Sequence, residues 1–94
     1  MITTFVKHEV KDFSNWKHVY DDFMPTAKAK GVKEEHVFRD SKAPQQVIVT
    51  HVFQSIKDAN EFFNSDELKN AMKNAGVVGA PEIWFGEDVR KDIH

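Results

Sequence analysis

The sequence predicts one α+β domain over residues 1–94, in which a βαβ unit is split by an inserted strand and the helices lie on one face of the sheet. Two apolar, β-branched segments, 2–10 and 46–53, each run through a polar cap into a stretch with apolar residues at helical spacing. Ninety-four residues supply one core and not two. For this mass, area scaling expects roughly 5,600 Å² of folded surface against about 15,800 Å² for the extended chain. About 65% is then buried, a marginal amount that a partner would improve.

Ile2, Thr4, Val6, His8 and Val10 share one face of the first strand, with Thr3, Phe5, Lys7 and Glu9 on the other. Asp12 or Ser14 then offers an N-cap. Phe13, Trp16, Tyr20, Phe23 and Ala27 form the stripe of a helix near 14–30, which Pro25 is expected to kink or restart and Gly31 to stop. His36 to Asp40 follow as a short strand, and Ser41 to Gln45, with Pro44, as a hairpin connection. Gln46 to Phe53 is apolar on both faces and is therefore a central strand. Ser55 caps a helix that turns Ala59, Phe62 and Phe63 inward. Ser65 or Asp66 caps another, with Leu68, Ala71, Met72 and Ala75 inward and Gly76 closing it. Pro81 to Glu87 is the last strand and Val89 to His94 a polar tail.

This order, βαββαβ, is the ferredoxin-like pattern, and its split βαβ reading makes strands one and three parallel central neighbours. The two halves also echo each other: His8 and His51 each precede an apolar position and a polar step into a helix. The echo predicts the two imidazoles at similar heights on adjacent strands, both facing the helices.

Composition removes several classes of function. Hydrophobic residues are 40% and charged residues 30%, with eight Phe, two Trp and one Tyr, which excludes disorder and low complexity. Thirteen Lys and Arg against fifteen Asp and Glu leave a net charge of -2, with no basic block to track phosphates, so nucleic acid is not an expected partner. No cysteine means no disulfide framework and no thiol chemistry. Neither a secretory leader nor an apolar run long enough to span a bilayer is present, so no membrane association is expected and the cytoplasm is the default location. No GxGxxG or GKS/T pattern follows a strand, so nucleotide chemistry is not indicated.

Phe5-Val-Lys-His-Glu-Val, Asp12-Phe-Ser-Asn-Trp16-Lys with Tyr20, Val47-Ile-Val-Thr-His-Val-Phe53 leading into Ser55 to Phe63, Ser65 to Met72 and Ala75 to Trp84 together resemble the dimeric α+β barrel superfamily. Within it they are similar to the small proteins grouped with antibiotic-biosynthesis monooxygenases and cyclases. The resemblance covers most of the chain. It implies a four-stranded antiparallel sheet, a homodimer paired through the sheet faces, and a small hydrophobic or aromatic ligand between each sheet and its own helices. Phe5, Ile48, Thr50, Val52 and Phe38 would form the paired face.

Against the haem-degrading relatives the match departs at three positions. Their strand-one Asn, strand-three Trp and haem-ligating His fall on His8, Phe53 and Met72, and without a proximal imidazole the oxygen chemistry of haem is not supported. The quinone-forming relatives use no metal or flavin, and the resemblance to them and to the polyketide cyclases implies no cofactor. Such a pocket needs a base, a hydrogen-bond donor and aromatic walls. Candidates are His8 and His51 for catalysis, with Trp16, Tyr20, Phe53, Phe63 and Met72 against the ligand; the alternative is a non-catalytic small-ligand-binding or stress-response homodimer of the same fold. Each has a plainer alternative: the histidines as buried groups bonded to backbone or to each other, the others as core. Two histidines make a poor zinc site, so no metal is expected. Arg39 is a candidate for an anionic substrate or a surface ion pair, His18 and His36 read as solvated, and Trp84 is assigned to the dimer face.

Overall fold

The structure is a computed structural model and describes residues 1–93, so the expectation that His94 ends a polar tail without a partner lies outside the described residues. Its elements are β1 (Ile2–Val10), α1 (Phe13–Ala29), β2 (Glu34–Arg39), β3 (Gln46–Phe53), α2 (Ile56–Phe63), α3 (Asp66–Asn74) and β4 (Val77–Glu87). The four strands form one antiparallel sheet in the order β2-β3-β1-β4. This is the expected α+β ferredoxin-like architecture, with α2 and α3 in series.

Local signals explain the helix ends. The Asp12 carboxylate accepts from the Ser14 amide at 2.9 Å and starts α1 one residue before the expected position. Gly31, at φ 108°, turns the chain out of α1 in a region that favours glycine. Pro25 neither breaks nor restarts the helix, which continues to Ala29 because Met24 and Ala27 are packed in the same apolar cluster on either side of it. Ser65 does two jobs: its hydroxyl donates to the Phe62 carbonyl at 2.7 Å and accepts from the Leu68 amide at 3.3 Å, so α2 ends where α3 begins.

Two expectations about the sheet are corrected. β1 and β3 are antiparallel, because β1 and β2 are the parallel pair of the split unit and the 40–45 turn reverses the chain between them. β4 begins at Val77, four residues before Pro81. Lys7 pairs with Glu82 and Glu9 with Val78, so Gly79, Ala80 and Pro81 bulge opposite His8 alone. Gly79 takes φ 71° there, and an edge strand tolerates the missing proline N–H.

Ile2, Thr4, Val6, His8 and Val10 of β1 and Val47, Val49, His51 and Phe53 of β3 are buried beneath the helices, as the alternation predicts. The core divides in two. Ile2, Met24, Ala27, Val32, Phe53, Ala59 and Phe62 fill one end, and Val6, Val10, Trp16, Val47, Val49 and Ala75 the other. Tyr20 and Phe63 pack against both. No helix among the described residues is long and apolar enough to cross a membrane.

Candidate functional site

The junction of the two clusters is not closed. A cleft opens there, floored by Val6, His8, Val49 and His51 of the sheet and walled by Trp16, Tyr20 and Phe23 of α1, Phe62 and Phe63 of α2, and Leu68 and Met72 of α3. Ile83 of β4 lines it from the fourth strand. About 60 Å³ is open to the centres of water molecules, against the roughly 10–15 Å³ that one water requires. Helix α3 has no fully buried residue, and Ile83 is 41% exposed, so the cleft stands open beside the edge strand.

His8, His51, Trp16, Tyr20, Phe63 and Met72 all reach this cleft. Phe53 does not. Its ring is wholly buried in the first cluster, 5.3 Å from Phe62 and edge-on to His51 at 6.2 Å, because it ends β3 beyond the cleft. Phe62 takes the wall position expected of Phe53. The two histidines share a face but not a height. His8 pairs with Val47 and His51 with Thr4, so four residues, about 13 Å of strand, separate them along the sheet. Antiparallel pairing causes this, since equivalent positions of the two halves run away from each other. The imidazoles therefore stand at separate stations with Val6 and Val49 between them, and they do not bond each other.

A file of rings connects the stations. His8 lies 5.7 Å from Trp16, Trp16 stacks on Tyr20 at 4.9 Å, and Tyr20 stacks on His51 at 6.1 Å. Trp16 and Tyr20 meet because α1 places them four residues apart. The Tyr20 hydroxyl is 3.0 Å from His51 Nε2 and 3.0 Å from Glu35 Oε1. Sequence reasoning missed Glu35. The signal available was its alternation with Val37 on β2, which puts it on the helix-facing side opposite His51.

Burial sets the protonation of this site. It lowers the pKa of His8 and of His51 from 6.5 to about 4, so both rings are neutral near pH 7. Burial, followed by the hydrogen bond and charge of Glu35 and the charge of Asp21, pushes the Tyr20 hydroxyl well above its ordinary value. Among the described residues three buried side-chain nitrogens have no partner: both nitrogens of His8 and Nδ1 of His51. Buried polar atoms without a partner call for an explanation, and these three belong to side chains of the cleft floor.

The other candidates fall elsewhere. The Arg39 guanidinium lies 4.1 Å from the Phe13 ring centroid and its Nε donates to the Pro44 carbonyl, so it joins neither the cleft nor an ion pair. His18 is exposed beside Asp22, and His36 is exposed 5.3 Å from Phe38. Trp84 stacks on Phe5 at 5.5 Å on the helix-free face. Among the described residues no three His, Asp or Glu side chains converge as a metal site. The residues do not fit haem either, since Met72, at the position of the haem-ligating imidazole, offers only a thioether on α3.

Solved structures share this fold over nearly the whole chain. A protein from Bordetella bronchiseptica assigned to the antibiotic biosynthesis monooxygenases superposes with TM-score 0.81 at 15% identity, covering 95% of this chain and 97% of that one. One of the same description from Caulobacter crescentus gives 0.79 at 19% identity, covering 95% and 90%. SnoaB, a cofactor-independent oxygenase from Streptomyces nogalater, gives 0.80 at 8% identity, covering 96% and 94%. The chain therefore has the α+β fold of the antibiotic biosynthesis monooxygenase structures, and at these identities the likeness is one of fold. No family model and no curated protein matches the sequence.

Proposed function

We propose that the chain binds a small, neutral aromatic or polyketide-like molecule in the cleft and acts on it as a cofactor-independent monooxygenase or cyclase. The observation that carries this is the set of three unpartnered buried nitrogens on an otherwise apolar floor. Flat rings suit the aromatic walls, and a hydroxyl or carbonyl at each end suits the two imidazoles. No Lys or Arg lines the cleft, which favours a ligand that enters uncharged. His51 takes a proton from the ligand's acidic O–H or C–H, and the resulting imidazolium holds the anion. In the oxygenase form a ligand methylene becomes a carbonyl, with dioxygen as the oxidant and its second oxygen atom leaving as water. In the cyclase form the carbanion adds to a carbonyl of the same molecule, whose oxygen receives the proton back. His8 donates or accepts a hydrogen bond at the far end.

The low basicity of both rings favours a second reading, in which the same cleft holds the molecule without converting it. Titration with 1-naphthol and anthrone, followed by tryptophan fluorescence in a Trp84→Phe background, together with oxygen uptake and product analysis, separates the two. Saturable binding with conversion supports the enzyme, binding alone the receptor, and no binding removes both. Replacing His8 and His51 together by Ala is expected to weaken binding about a hundredfold, two hydrogen bonds' worth, and to abolish conversion while far-UV circular dichroism at pH 7 is retained. Unchanged affinity would take the imidazoles out of the site.

The same reading includes a homodimer paired through the helix-free faces. Trp84 and Phe38 are each 48% exposed there. The accessible surface, 6338 Å², also exceeds by several hundred Å² the roughly 5,600 Å² expected for a folded monomer of this mass. Sedimentation at micromolar concentration is expected to give twice the chain mass. Trp84→Glu, which places a charge in the paired face, is expected to raise the dimer dissociation constant at least about a hundredfold. Monomeric wild-type protein would refute the pairing.

A further inference from the structure

We infer that Glu35 is a positioning residue that locks the tautomer of His51, leaving the buried His51 Nδ1 as an unprotonated acceptor. The inference deepens the proposed function, resting on the same site, and it follows from counting donors. The Tyr20 oxygen has two polar neighbours, His51 Nε2 and Glu35 Oε1, each at 3.0 Å, and the hydroxyl has one proton. An ionised carboxylate only accepts, so that proton goes to Glu35. The Tyr20 oxygen is then the acceptor at its other contact, and His51 must donate to it through Nε2–H. A neutral imidazole carries one N–H, so Nδ1 is left as an acceptor. That atom is buried and has no partner among the described residues.

Each link has independent support. The Tyr20 hydroxyl keeps its proton because burial and the adjoining carboxylate both oppose its ionisation. His51 is neutral near pH 7 because it is buried, which makes its tautomer a real choice. The elements around the ring supply Phe53 on β3, Phe62 on α2 and Thr4 on β1, and Tyr20 is its sole hydrogen-bonding partner among the described residues. Without Glu35, the Tyr20 proton is free to turn to Nε2, moving the imidazole proton to Nδ1 and removing its lone pair. The carboxylate acts through Tyr20 and never meets the ligand.

The ring nitrogens report the tautomer directly, whether or not the protein turns anything over. Uniformly 15N-labelled full-length protein at pH 7, without ligand, is expected to show His51 as Nε2–H with an unprotonated Nδ1 in long-range 1H–15N correlation spectra. Glu35→Ala, an exposed position on the sheet, is expected to raise the Nδ1–H fraction about tenfold, the loss of a charge-assisted hydrogen bond. Tyr20→Phe, which keeps the ring stack, is expected to abolish the preference. A wild-type His51 protonated at Nδ1, or a tautomer ratio indifferent to Glu35→Ala, overturns the assignment. If the tautomer behaves as expected while no ligand binds or is converted, the functional reading fails and the role of Glu35 stands. If conversion is found but the tautomer is indifferent to Glu35, the reverse holds.

Discussion

Lowering the pH from 6.5 to 4 is expected to strip this fold of on the order of 3–6 kcal/mol of stability. In the unfolded chain His8 and His51 take up protons as the pH falls through 6.5. In the folded chain burial keeps both neutral until about pH 4. Between those values the unfolded state binds more protons, so stability rises with pH across the window and is lost as the pH falls through it. Each histidine contributes a slope of up to about 1.4 kcal/mol per pH unit. His51, ringed by Tyr20, Phe53 and Phe62, and His8, beside Trp16, are buried alike and both contribute. Total stability for a domain of this kind is about 5–15 kcal/mol, so the loss is a large fraction of it. Urea melts at half-unit steps between pH 4 and 7 measure the slope, and His8→Ala/His51→Ala is expected to flatten it. A midpoint that does not move across this window would show that the imidazoles are not buried as described. A ligand bonded to either ring in its neutral form deepens the same dependence, which links the cleft to the stability of the whole sheet.

Truncating Phe53 to Ala is expected to cost about 3–5 kcal/mol, the range for a buried aromatic that leaves a cavity. The ring is wholly buried, its centroid 5.3 Å from that of Phe62, 6.3 Å from Phe63 and 6.2 Å from His51, so its loss opens a cavity with several aromatic walls. At about 4–8 °C per kcal/mol for a domain of this size, the melting temperature falls by roughly 12–40 °C. Phe53→Leu, which keeps most of the volume, is expected to cost about 1–2 kcal/mol. Ligand affinity of the fraction that remains folded is expected to stay near wild type, because Phe53 lies behind His51 and outside the cleft. A large loss of affinity with little loss of stability would restore Phe53 to the ligand wall. Calorimetric melting paired with 1-naphthol titration distinguishes the two results.

These two residues also show how far a sequence of this kind can be read. Phe53 and His51 lie on one face of a strand, and period-two alternation says that both are buried. What separates them is the length of the cleft along that face, which depends on where α1, α2 and α3 stop covering the sheet. Alternation carries no information about that, and so Phe62, whose ring comes from a different element, was overlooked as the wall. Glu35 escaped for a similar reason. Its neighbours in the sequence are charged and solvated, and only the pairing of β2 with β3 brings it opposite His51 and under the Tyr20 hydroxyl.

The sequence alone determined the order of the elements and the buried face of each central strand, and narrowed the helix caps to one or two residues each, because those follow from interactions over one to four residues: alternation, helical stripes, Asp12 or Ser14, Ser55, and Ser65 or Asp66 at helix starts, Gly31 at a helix end. It also determined which side chains with useful chemistry are turned inward. The direction of β3 against β1, the 13 Å between the two imidazoles, the bulge opposite His8 and the chain from His51 through Tyr20 to Glu35 were decided by the tertiary structure. They depend on register and strand order, where one reversal moves a residue by the length of a strand while leaving every local pattern unchanged.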